Sequence, residues 1–282
     1  MIKILKDAFK ISSENIILAT PLLVFLLLIN IYLMVAKDAV KVLPSALLFF
    51  LTLLLMVSAF MSGWFYMIKS AIHNFKNKIP HKENETFKLM NEFPVGIADY
   101  IGSYIGLSIA FLILGDIVLV SIYYIGLNLI GSIGITPAQF ISATEAPVAM
   151  QALLDSMTKT QLLKLNYWYF LIMFSLQIFS LVTMFWPVEI LYSTKNPIKA
   201  LFYAVKRIIL KPQSILLFIL ISILNVVMMI MNYISMFNPI SYFVMTLVYF
   251  YFIVYIFVLL FLYYEEKIKG NRNSISDSDR QE

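Results

Sequence analysis

"YIGSYIGLSIAFLILGDIVLVSIYYIGLNLI", residues 100–130, holds a single charged side chain, Asp116, in an otherwise uncharged and mostly apolar run. About 20 such residues are enough to cross the roughly 30 Å of hydrocarbon in a bilayer at about 1.5 Å per helical residue. The stretch therefore reads as a transmembrane helix, unless Gly115-Asp116 is a turn dividing it into two short crossings. A turn there would invert everything downstream and place the basic residues between Lys195 and Lys211 outside, which the distribution of charge described below rejects. Tyrosines prefer the two membrane interfaces, and Tyr100 and Tyr104 are separated from Tyr123 and Tyr124 by about 20 residues. Asp116 is thus expected near the middle of the membrane.

Five further stretches have the same character, and the whole chain agrees with them: 61% of its 282 residues are hydrophobic and 13% charged. No water-soluble fold of this length could bury so much apolar surface, so the chain reads as an integral membrane protein. The expected spans are Ile16 to Ala36, Pro44 to Ile68, Tyr100 to Ile130, Asn166 to Trp186, Gln213 to Met236 and Ile240 to Tyr264. Barrel strands would show shorter segments alternating apolar and polar, so the fold class is all-α, a bundle of six transmembrane helices. The first span exceeds the apolar core of a secretory signal and is read as retained.

Basic residues orient the bundle. With the N-terminus in the cytoplasm, the inner segments hold 17 of the 21 Lys and Arg residues, leaving Lys37, Lys41, Lys159 and Lys164 outside. The positive-inside rule then places both termini in the cytoplasm. The same count accounts for the basic pI, so nucleic acid is not expected as a partner. The absence of cysteine excludes disulfides, thiolate metal sites and a cysteine nucleophile. No HExxH, Walker A, GxSxG or Rossmann pattern occurs. His73 and His81 could reach a metal with Glu83 or Glu85, but in the basic loop "HNFKNKIPHKENE" they read as solvated side chains; neither metal nor cofactor is expected.

Between the spans, an amphipathic element recurs. In Pro197 to Leu210, Asn196 is positioned as an N-cap, Pro197 as the first helical residue, and Pro212 closes the pattern. Ile198, Leu201, Phe202, Val205, Ile208 and Ile209 recur at helical spacing, with Lys199, Lys206 and Arg207 off that face. Such a helix should lie flat at the inner surface, where the three basic residues could meet anionic headgroups. A related helix opens the chain, with Leu5, Ala8, Phe9 and Ser12 on one face, and a poorer copy falls at Phe87 to Phe93. The organisation expected is three units of interfacial helix, span, span.

On the outer side, residues 131–165 form the long connection. Thr136-Pro137-Ala138-Gln139 has capping-box spacing, and Met150, Leu153, Leu154, Met157 and Gln161 continue a second short helix. Residues 1–268 are expected to form the membrane domain, and the polar segment 269–282 a disordered tail.

A charge at the depth of Asp116 costs about 2.5 to 3.5 kcal/mol, so it should face other helices and find a partner. The partners on offer are neutral, chiefly Gln177 and Asn225, together with hydroxyls such as Thr52, Ser175, Thr183 and Ser222. A protonated acid bonded to an amide would be a contact between helices; a proton or cation site is the alternative. Gly102 and Gly106 make a GxxxG step read as a packing surface, and Glu189 is expected to pair with Lys195 or Lys199.

The segment "FWPVEILYSTKNPIKALFYAVKRIILKPQSILLFILISIL" resembles the hallmark region of a group of bacterial six-span proteins that includes uncharacterised inner-membrane families and the membrane domain found fused to glycerophosphodiester phosphodiesterases. The shared pattern is a span ending in a short polar turn (Ser193 to Asn196), a basic amphipathic helix, and a small polar residue leading into the next span. The N-terminal "ILKDAFKISSENIILATPLL" is similar in cast. The chain departs from the pattern at Lys211-Pro212 and in its long outer connection. The resemblance implies the bacterial plasma membrane and supplies no catalytic residue. The function expected is that of a non-enzymatic scaffold or lipid-interacting module, the alternative being a small-solute or proton-coupled carrier centred on Asp116.

Overall fold

Uninterrupted apolar sequence in lipid must satisfy its backbone internally, and the chain does so with α-helices. The computed structural model describes residues 1–39, 43–77, 83–144, 147–235 and 238–269. In order these form α1 (Ile2–Glu14), a single 3₁₀ turn (Ile16–Leu18), α2 (Ala19–Ala39), α3 (Leu43–Lys76), α4 (Glu83–Leu129), α5 (Pro137–Thr144), α6 (Pro147–Ser156), α7 (Lys159–Thr183), α8 (Trp186–Tyr192), α9 (Pro197–Leu210), α10 (Gln213–Ser235) and α11 (Pro239–Tyr263), which ends in a π-helical turn at Tyr264–Lys269. Six of these helices are long and apolar enough to cross a membrane, and they coincide with the six expected spans. The chain is a multi-pass membrane protein of helical architecture.

Two compact units divide the chain. The first contains residues 1–110 and the chain from Thr183 onward; the second contains residues 111–182.

In the first unit, α1 packs on α11, α2 on α3, α10 on α11, and α11 lies against both α2 and α3. Aromatic side chains fill the centre: Trp64, Phe65 and Phe257 lie with ring centroids 5.0 to 5.5 Å apart, and Phe261 extends the cluster. Buried polar tips are satisfied across helices, as membrane packing requires. Trp64 donates to the Leu18 carbonyl at 2.7 Å and Tyr104 to the Pro187 carbonyl at 2.9 Å. Ser58 and Ser108 bond at 3.1 Å.

Glycine permits close approach at only one of the two GxxxG positions. A Cβ at Gly102 would meet no atom within 4 Å, and one at Gly106 would meet Pro197, the first residue of α9, at 2.8 Å. The α3–α4 contact is made instead by Gly63 and Gly96: a Cβ on Gly96 would lie 2.5 Å from the Tyr66 Cβ and 2.8 Å from the Ser62 carbonyl oxygen. One glycine from each helix produces this seam, so spacing within one helix does not reveal it.

Two of the three expected units have the order interfacial helix, span, span: α1–α2–α3 and α9–α10–α11. The third does not. Phe87 to Phe93 is the opening of α4, which continues through Pro94 with no break. A proline in the interior of a long helix forfeits a hydrogen bond without ending the helix when neighbours hold it.

In the second unit, the Trp168 ring lies against Gly126, where a Cβ would approach it to 2.2 Å, and its indole donates to the Gly131 carbonyl at 3.1 Å. Gly131 and Gly134 turn the chain with φ of +81° and +82°, backbone that favours glycine. The Thr136–Gln139 capping box forms, with the Thr136 amide donating to Gln139 Oε1 at 2.9 Å. Gln161 does not continue the second short helix. It closes another capping box, accepting from the Thr158 amide at 2.9 Å, and so starts α7 at Lys159. His81 and residues 270–282 lie outside the described residues, and with them the histidine pair and nearly all of the expected tail.

Candidate functional site

The three polar residues of the expected cluster lie on three different helices. Asp116 on α4, Gln177 on α7 and Asn225 on α10 are all exposed, and no hydrogen bond joins any of them to another described residue. The neighbour of Asp116 one turn on, Ser121, turns its hydroxyl back to the Ile117 carbonyl at 2.7 Å, the usual way a hydroxyl is satisfied within a membrane helix.

Polar chemistry gathers instead around α8 and α9. Helix α9 starts as its sequence dictates: Asn196 is extended, and its side chain accepts from the Lys199 amide at 3.0 Å, with Pro197 at the first helical position. Its narrow buried stripe is Ala200, Ala204 and Ile208. Trp186 of α8 donates to the Pro197 carbonyl at 2.7 Å and ties the two helices together. Small residues seat α9 close to the bundle, so its bulky apolar residues are left facing outward, with Ile198, Phe202 and Ile209 at 60%, 68% and 74% exposure. Leu201, Phe202, Val205, Lys206, Ile209 and Leu210 line a shallow groove on that outer face.

Of the three basic residues expected to meet headgroups, Lys199 and Lys206 are exposed. Arg207 turns inward. Its Nε donates to Glu189 Oε1 at 3.2 Å, and Glu189 is fully buried on α8. Glu189 thus pairs with Arg207, not with Lys195 or Lys199: the Lys195 ammonium stands 4.8 Å from the Tyr100 ring centroid instead. Sequence distance misled here, because the short turn between α8 and α9 brings the last turn of α9 back beside α8. A buried carboxylate needs its counter-charge close, and a guanidinium is the cation least costly to desolvate. The second oxygen, Oε2, has no hydrogen bond; the Tyr264 hydroxyl lies close to the carboxylate and bonds Ser193 at 3.1 Å.

Around this pair the charges continue outward. Glu265 is shared, taking Lys76 on Oε1 at 3.2 Å and the Tyr192 hydroxyl on Oε2 at 3.1 Å. Lys211, which closes α9, donates to the Lys267 carbonyl. Partial burial, then the neighbouring Arg207 and Lys267 charges, push the Lys211 ammonium below its ordinary pKa. The residues missed in the sequence, Tyr192, Glu265 and Lys76, come from three separate helices, and no spacing along the chain connects them. Among the described residues, no group of three or more His, Asp or Glu side chains is placed to hold a metal.

No family model, curated protein or solved structure matches the chain.

Proposed function

We propose that the chain is a non-enzymatic lipid-interacting or scaffold module of the bacterial inner membrane, with both termini and the α8–α9 region in the cytoplasm. The observation that carries this reading is the outward apolar face of α9 flanked by Lys199 and Lys206. Bulky apolar side chains suit the acyl boundary and lysine ammoniums suit anionic headgroups, and one helix offers both. The inward ion pair of Glu189 with Arg207 anchors that helix without consuming either exposed lysine.

The cysteine-free sequence gives a clean topological test. In a Lys206→Cys variant, an impermeant maleimide should label intact cells poorly and permeabilised cells fully; full labelling from outside overturns the orientation and the lipid role with it. Lipid preference is read from native mass spectra of the purified protein. Replacing both Lys199 and Lys206 with Gln should lower retention of phosphatidylglycerol relative to phosphatidylcholine by about tenfold or more.

A further inference from the structure

Beside the α8–α9 anchor stand two ammonium groups with no ion pair among the described residues. Lys69, near the end of α3, donates to the Leu191 carbonyl at 2.9 Å and stands 5.2 Å from the centroid of the Tyr192 ring. Lys269, at the end of the π-helical turn, stands 5.2 Å from the same centroid. This shared ring holds the two charges within about 10 Å of each other. Among the described residues, neither lysine has a carboxylate within ion-pairing distance. The acid whose charge acts on Lys69, Glu265, has one oxygen on Lys76 and the other on the Tyr192 hydroxyl. Of the charges acting on Lys69, that of Lys269 outweighs that of Glu265.

Lys69 is half-buried and Lys269 exposed; two like charges held beside one ring repel each other, and an anion drawn in between them relieves that repulsion. The tyrosine ring orients the ammoniums through its π-face but does not neutralise them. A phosphate group fits the requirement: it is compact, it carries several acceptor oxygens, and lysine binds it as a point charge. The other aromatic neighbour of Lys69, Tyr66 at 5.8 Å, is faced by two acids, Glu92 and Asp99, whereas Tyr192 is faced by one, Glu265, already engaged by Lys76 and the Tyr192 hydroxyl, so an anion is opposed less on the Tyr192 side.

We propose that Lys69 and Lys269, set against Tyr192, form a phosphate-binding site. The inference rests on the lipid-interacting reading only for the source of the phosphate, a lipid headgroup or a free phosphate ester, and it uses lysines distinct from Lys199 and Lys206.

Native mass spectrometry of the full-length protein tests it with four probes: phosphatidic acid, phosphatidylcholine, glycerol 3-phosphate and inorganic phosphate. The wild type should retain phosphatidic acid over phosphatidylcholine, and the Lys69→Gln, Lys269→Gln double variant should lose about thirtyfold of that preference, two basic contacts at an anionic headgroup. The Lys69→Arg, Lys269→Arg variant should keep it, which guards against a loss caused by misfolding. Retention of glycerol 3-phosphate or inorganic phosphate at the same two lysines assigns the site to a soluble source. If the double Gln variant binds phosphatidic acid like wild type while the Lys199→Gln, Lys206→Gln variant does not, the site is wrong and the broader reading stands. If neither variant changes retention, both fall.

Discussion

Helices α1 and α9 are two versions of one pattern. Aligned in register, Ile2, Lys3, Leu5, Ala8 and Lys10 of the first match Ile198, Lys199, Leu201, Ala204 and Lys206 of the second. Their burial agrees as well: Ile4 and Ala8 are buried where Ala200 and Ala204 are, and Ile2 and Ile198 are exposed at 72% and 60%. Both precede two spans. The difference comes one turn later, where α1 has Ile11 and α9 has Arg207. Ile11 is buried without exposure in the helix that packs on α11, whereas Arg207 reaches the buried Glu189 of α8. The same helix can therefore be fastened to a bundle by an apolar side chain or by an ion pair, depending on what the adjoining helix offers.

The largest effect should come from breaking the ionic fastening on one side only. Arg207→Leu leaves the Glu189 carboxylate buried and uncompensated, a loss of about 3 to 5 kcal/mol. The melting temperature in detergent should fall sharply, and the double variant Glu189→Leu, Arg207→Leu should recover most of the loss, because apolar replacement of a buried pair is often neutral. On α1, Ile11→Ala should cost about 2 to 5 kcal/mol through a cavity, with no second substitution of this kind to rescue it. An α8–α9 double variant no more stable than Arg207→Leu would show that the pair is not what holds the helix.

A smaller effect tests what the two helices share. Ala8 and Ala204 are both completely buried, and each lets its helix approach the bundle. Ala8→Leu and Ala204→Leu should each cost about 1 to 3 kcal/mol by overpacking. Equal losses support a common seat; an unchanged melting temperature in either variant denies it to that helix.

Much of this was legible in the sequence and some was not, for identifiable reasons. The spans were readable because length and hydropathy are properties of a continuous segment, and the starts of α5 and α9 because a cap is a contact between residues three apart. The α1–α9 register is present in the sequence too, but the outward side of α9 is not, since its bulkiest apolar residues suggest the covered face and the bundle covers the alanine stripe instead. The partner of Glu189 was hidden by a fold-back 18 residues along the chain, and the Gly63–Gly96 seam by lying between two helices. The surroundings of Asp116 were the least legible, because an isolated acid in an apolar run names no partner by its spacing.

The smallest effect separates the two matched lysines. Lys10 stands 3.7 Å from Glu14 and 5.6 Å from the centroid of the Phe75 ring, while at the matching position of α9 Leu210 replaces Glu14 and leaves Lys206 without that partner. An exposed pair with the lysine N-terminal to the acid contributes a few tenths of a kcal/mol, and an exposed cation–π contact about 0.5 to 1. Lys10→Gln should therefore lower stability by about 0.5 to 1 kcal/mol, with the ionic part vanishing in high salt, whereas Lys206→Gln should lie within about 0.5 kcal/mol of wild type. Equal losses at the two positions would mean that Lys206, like Lys10, is tied to the bundle, and its ammonium would then not be free for a headgroup.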